Sequence, residues 1–187
     1  MNKLILLVIL SLAVNAEASD WKLAGHSGGD DQRGEFLFYD NQSLTNTSGI
    51  VKFWTKGIAN KTLEKIINSK KPSEDVMNEA AKKVASNYSP PIFSTKQFQK
   101  NYPTKEQLKS AIVDAVIYET IVNISRPKEK SEMLWELNCN SHQIRTLEIN
   151  LFDSKGEFSG HTKTSLEWKN IPPDSNGENW HQLFCNN

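Results

Sequence analysis

Residues 133–168 read MLWELNCNSHQIRTLEINLFDSKGEFSGHTKTSLEW, and this stretch decides the fold. Runs of leucine, β-branched and aromatic residues (MLWELNC, QIRTLEINLFD, GEFSGHTKTSLEW) are broken by short polar clusters, the pattern of strands joined by turns. In the middle run Ile144, Thr146, Glu148, Asn150 and Phe152 oppose Arg145, Leu147, Ile149 and Leu151. That period of two places Leu147 and Ile149 toward a core. DSKG at 153–156 has the residues of a hairpin turn.

The beginning of the chain carries the same signal. DWKLAG, GEFLFYD and GIVKFWTK lie between Gly, Asn, Asp and Ser clusters and read as an antiparallel meander. In the third, Val51, Phe53 and Thr55 alternate with Lys52, Trp54 and Lys56, so one face is expected buried and the other wetter. The intervening region of about residues 60–126 changes period. Leu63, Ile66 and Ile67, then Val76, Met77, Ala80, Ala81 and Val84, recur at helical spacing. Ser73 before Glu74 and Asp75 suits a helix start. Thr104-x-x-Gln107 is a capping box ahead of Leu108, Ile112, Ala115, Val116 and Glu119. After Pro172-Pro173 a second box, Ser175-x-x-Glu178, precedes Trp180, Leu183 and Phe184, which predicts a terminal helix carrying Cys185. The expected class is α+β: an antiparallel sheet with a helical insertion and a C-terminal helix, in one domain spanning 19–187.

Residues 1–18 read as a signal peptide: Lys3, an apolar block from Leu4 to Val14, then Ala16-Glu17-Ala18. The block is short of the roughly 20 apolar residues that a membrane span requires. No lipidation cysteine follows; Ser19-Asp20 stands there instead. The expected location is therefore exported: periplasmic or secreted, with the cell surface open. The chain has two cysteines. In an oxidising compartment a Cys139–Cys185 disulfide is their simplest reading, and His142 and His181 nearby leave a Cys/His metal site as the alternative. With 22 basic and 22 acidic residues the charge is balanced, which argues against nucleic acid or an anionic membrane as partner.

No catalytic constellation assembles from the sequence. His26 with Asp30 and Asp31 in GHSGGDD has turn composition as much as cation-ligand composition. Ser159 and His161 lack an orienting acid. Glu132 and Glu136 fall in a strand, where they read as ordinary surface charges. Asn-x-Ser/Thr sites at Asn41, Asn46, Asn60, Asn87 and Asn123 read as chance in a chain rich in Asn and Ser. No cofactor and no metal are expected. The five tryptophans read first as core and helix-to-sheet contacts; any that lie exposed together are the candidates for recognition, Trp54 above all because it lies on the lysine face of its strand.

The segments FLFYDNQSLTNTSGIVKFWTK and LWELNC through NWHQLFC resemble the surface-adhesin protein E family. The resemblance is carried by Tyr39-Asp40-x-x-Ser43-Leu44, Glu136-x-Asn138-Cys139, Arg145-Thr146-Leu147, and Trp168 followed by Ile171-Pro172-Pro173 and a terminal cysteine. YETIVN at 118–123 is similar to helical insertions in relatives. The family implies an antiparallel sheet with a C-terminal helix held against it by the disulfide, and a non-catalytic binding or adhesion role in the bacterial envelope. Tyr39, Trp54 and Trp168 are the candidate binding residues. The partner expected is a protein or small-molecule ligand, with a homodimer open. The alternatives are a periplasmic ligand-binding or envelope-maintenance protein and, behind it, a secreted hydrolase.

Overall fold

The computed structural model describes residues 19–27, 34–69, 74–95, 100–127 and 131–186. The signal-peptide reading, Asp30 and Asp31, and the Ser73 cap lie outside the described residues. The strands are β1 (Trp21–Ser27), β2 (Glu35–Asp40), β3 (Thr45–Thr47), β4 (Ile50–Ala59), β5 (Ser131–Asn138), β6 (Gln143–Phe152), β7 (Phe158–Lys163) and β8 (Lys169–Asn170). The helices are α1 (Asn60–Ser69), α2 (Glu74–Ala85), α3 (Lys105–Ser125) and α4 (Asn176–Cys185), with a 3-10 turn at Pro91–Ser94. The strands form one antiparallel sheet in the order β1-β2-β4-β5-β6-β7, with β3 on β4 and β8 on β6. The helical insertion thus falls between two strands, β4 and β5, that lie side by side.

The strand alternation has a layer on each face. Val51, Phe53, Tyr39 and Leu137 point to the side covered by α4, where Ile171, Trp180 and Leu183 complete a cluster. Trp21, Leu23, Phe38 and Ile58 point to the other side, where the insertion supplies Leu63, Val76, Ile92, Ala115, Ile121 and Val122. The β4 face expected to be wetter is therefore covered toward its end. Lys56 there is only 6% exposed and lies 4.0 Å from the Trp21 ring centroid, a cation over an aromatic face.

Beyond α4 and the insertion, the sheet is thinly covered. Every residue of β6 but Leu151 is half-buried, and Leu147 and Ile149 join neither core cluster. The period-two reading of β6 fails at a bulge: Leu134 pairs with Glu148 but Trp135 with Thr146, so Leu147 is the extra residue and the alternation resets. Ile144, from the set read as facing away, is the residue that packs under α4.

The turns explain much of the sequence pattern. Asp40 Oδ1 accepts from the Gln42 and Asp20 amides at 3.2 and 3.0 Å, and Ser43 Oγ donates to the Asp40 carbonyl at 2.9 Å while accepting the Trp54 amide at 3.1 Å. Asn138 Oδ1 accepts from the Asn140 and Ser141 amides at 3.0 and 3.1 Å. Gly156 sits at φ 75° in the 153–156 turn, a backbone angle that favours glycine.

The Thr104–Gln107 capping box is complete. At α4 only half of the expected box forms: Ser175 Oγ accepts the Glu178 amide at 3.2 Å, but the Glu178 carboxylate turns away to His142, 2.9 Å from its Nε2. Cys139 and Cys185 are joined by a disulfide, 46 residues apart, that ties the last turn of α4 to the end of β5. This excludes the thiols from a metal site and answers the Cys/His alternative.

Candidate binding face

The two edges of the sheet are finished differently. β1 is an edge strand, and α3 runs beside it with side chains that replace a neighbouring strand. Asn123 Oδ1 accepts the Trp21 amide and its Nδ2 donates to the Trp21 carbonyl, both at 2.8 Å, while Glu119 Oε1 accepts the Leu23 amide at 2.8 Å. An exposed edge is a template for uncontrolled pairing, and here its first half, at Trp21 and Leu23, is satisfied from within. Glu119 is fully buried; its second oxygen accepts from Tyr88 Oη at 2.7 Å. Burial holds its carboxyl above the usual range, opposed by those two hydrogen bonds and by Lys22 and Lys83. Burial, with Glu119 next, likewise raises the Tyr88 phenol. The sequence pattern placed Glu119 among apolar helix positions without assigning it this work.

At the other edge β7 is exposed along most of its length, with Phe158 at 60%. The sheet face opposite α4 is open here. Its cross-strand rows run from β4, where Trp54 and Lys56 are covered, past the buried Leu134 to the exposed His161 and Lys163, and alternate in character: Lys52, Glu136, Arg145; then Trp54, Leu134, Glu148, Lys163; then Lys56, Glu132, Asn150, His161. Arg145 anchors the first row. It donates to Glu136 Oε2 from Nε at 2.8 Å and from a terminal nitrogen at 2.5 Å, donates to the Leu166 carbonyl at 3.0 Å, and lies 4.3 Å from the Trp168 ring centroid. Trp168 is thus held as a half-buried aromatic platform over neutralised charge.

Glu132 and Glu136, read from sequence as ordinary surface charges, are neither free nor fully solvated. β5 is a central strand, so Glu136 pairs with Arg145, and burial raises the Glu132 carboxyl while Lys56 opposes the shift.

Of the other candidates, Tyr39 is 3% exposed, edge-on to Trp180 and Phe184. Its neighbours place it in the α4 core. Trp54 is half-buried against the insertion cluster. Trp168 alone of the three stands on the open part of the sheet. His26 Nε2 lies 3.1 Å from Asn60 Oδ1, and its ring packs on Phe36. His161 lies across from Asn150, an amide where a catalytic triad would need a carboxylate. Among the described residues no cluster of three or more His, Cys, Asp or Glu side chains is arranged to hold a metal ion, and no helix is long and apolar enough to cross a membrane.

Fold and face define a disulfide-latched α+β protein with one sheet, sealed at one edge and open at the other. The family model of surface-adhesin protein E matches residues 115–186, from the second half of α3 through α4. No curated protein and no solved structure matches the chain.

Proposed function

We propose that this chain is an exported, non-catalytic binding module of the bacterial envelope, and that it engages a protein partner through the open face over β5, β6 and β7. The observation that carries this reading is Trp168, fixed on Arg145 among alternating charges of near-zero sum. A large aromatic held in place loses little conformational entropy on binding. Its balanced charged surroundings give orientation without a demand for a polyanion. The disulfide and the leader-like residues 1–18 support export.

Retention of the purified protein on matrix deposited by cultured epithelial cells tests the binding. The expected result is saturable retention without consumption or alteration of the matrix; non-saturable adsorption, or cleavage of matrix components, would contradict it. Export has its own test, cell fractionation with N-terminal sequencing. The expected form begins near Ser19 outside the cytoplasm, and a chain retained in the cytoplasm with Met1 intact would overturn this part.

A further inference from the structure

A cleft of ≈ 720 Å³ lies where α3, the β1–β2 pair and α4 meet, away from the open face. One wall is a single stripe of α3: Gln107, Ser110, Ala111, Asp114, Ala115 and Tyr118 recur at three- and four-residue spacing. The facing wall is aromatic. His26 packs on Phe36 with ring centroids 4.7 Å apart, Phe36 on Tyr118 at 4.6 Å, and Tyr102 with Phe93 at 5.9 Å closes one end. Asn179 of α4 stands in the lining, and its amide oxygen is buried with no hydrogen-bond partner among the described residues. Turning that amide toward a bound hydroxyl would make a hydrogen bond without losing one at the oxygen.

The size suits a small ligand rather than a polypeptide. The charge narrows the chemistry. Among the described residues the cleft has Asp114 as its one carboxylate and no Lys or Arg, so Asp114 would repel a phosphate or carboxylate ligand. A purely apolar ligand would desolvate Asp114, Ser110, Gln107 and Asn101 without giving them partners. Flat aromatic faces beside amide, hydroxyl and carboxylate groups match a pyranose, which has an apolar C–H face and a rim of hydroxyls.

We propose that this cleft binds a neutral saccharide of one or two pyranose rings, stacked on the Phe36–Tyr118 and Tyr102 rings and hydrogen-bonded by Asp114, Ser110 and Asn179. A host-cell glycan and an N-acetylglucosamine-based envelope polysaccharide present the same chemistry. Lactose stands for the first and di-N-acetylchitobiose for the second.

Saturation-transfer NMR on the purified protein with each disaccharide tests the site, with glucuronate as the charged comparison. Transfer is expected to at least one neutral disaccharide and not to glucuronate, and the one that responds identifies the source. Asp114→Asn, at an exposed position, should weaken that binding about tenfold. Ala111→Phe should fill the cleft and abolish it. Trp168→Ala should leave it unchanged, which separates this site from the open face. No transfer to either neutral disaccharide, or transfer that survives Asp114→Asn undiminished, overturns the proposal whether or not Ala111→Phe folds.

Discussion

Glu119 shows how a single side chain can finish a sheet. Its buried carboxyl accepts the edge-strand amide of Leu23 and the hydroxyl of Tyr88, and Asn123 one turn later takes both backbone groups of Trp21. Because burial raises its folded pKa above the unfolded value, the stability linked to Glu119 is full below about pH 4 and declines as pH rises through the folded value. Glu119→Gln keeps an acceptor for Leu23 and removes the titration. Its stability relative to the parent protein should therefore improve as pH rises from about 4 through the folded value. Glu119→Leu leaves the buried Leu23 amide and the half-buried Tyr88 hydroxyl without their acceptor and should cost about 2–5 kcal/mol throughout. Urea unfolding of the three proteins across that range checks both; parallel pH curves for Glu119→Gln and the parent would refute the linkage. The sequence showed Glu119 only as one position on an apolar stripe. That it faces a strand edge depends on where the chain returns 96 residues away, which local periodicity does not encode. The resemblance residues are legible in a different sense: Asp40, Ser43, Asn138 and Arg145 hold turns and cross-strand contacts, so they speak for the fold more than for a ligand.

α4 is held by its aromatic face and by its last residue. Trp180 and Phe184, four apart, pack on Phe53 at 5.1 and 4.7 Å, and the disulfide closes the final turn onto β5. On the chain-entropy model a loop of this size makes Cys185→Ser cost about 4 kcal/mol. Thermal unfolding should register that loss, and titration of the denatured, unreduced parent should find no reactive thiol. Two thiols per chain would refute the latch. This element was readable because its signals are local: a cap, an apolar stripe and a cysteine whose one available partner was Cys139. β6 was misread for the converse reason. A bulge shifts the alternation by one residue, and it depends on pairing with β5, so it leaves no trace in the periodicity of β6 alone.

At the scale of the whole molecule, the covering of the sheet is unequal. α4 packs on one face, the insertion packs on the β1–β2–β4 side of the other, and α3 seals the β1 edge, which leaves β5 to β7 open on the insertion's side. Six of the eight described strands and the helical insertion could be read from the sequence, but the short β3 and β8 could not; nor could the part of the sheet that stays open, because it depends on how far each helix reaches across it. We propose this open region as the binding face, and paired variants on the matrix assay distinguish it from the rest of the surface. Trp168→Ala combined with Arg145→Ala should reduce saturable retention at least about tenfold, the effect of a hot spot of 2 kcal/mol or more. Met77→Ser, an exposed position on α2 away from the sheet, should leave retention unchanged. Equal retention by the parent and the folded Trp168→Ala/Arg145→Ala protein, or loss in Met77→Ser alone, would contradict the account.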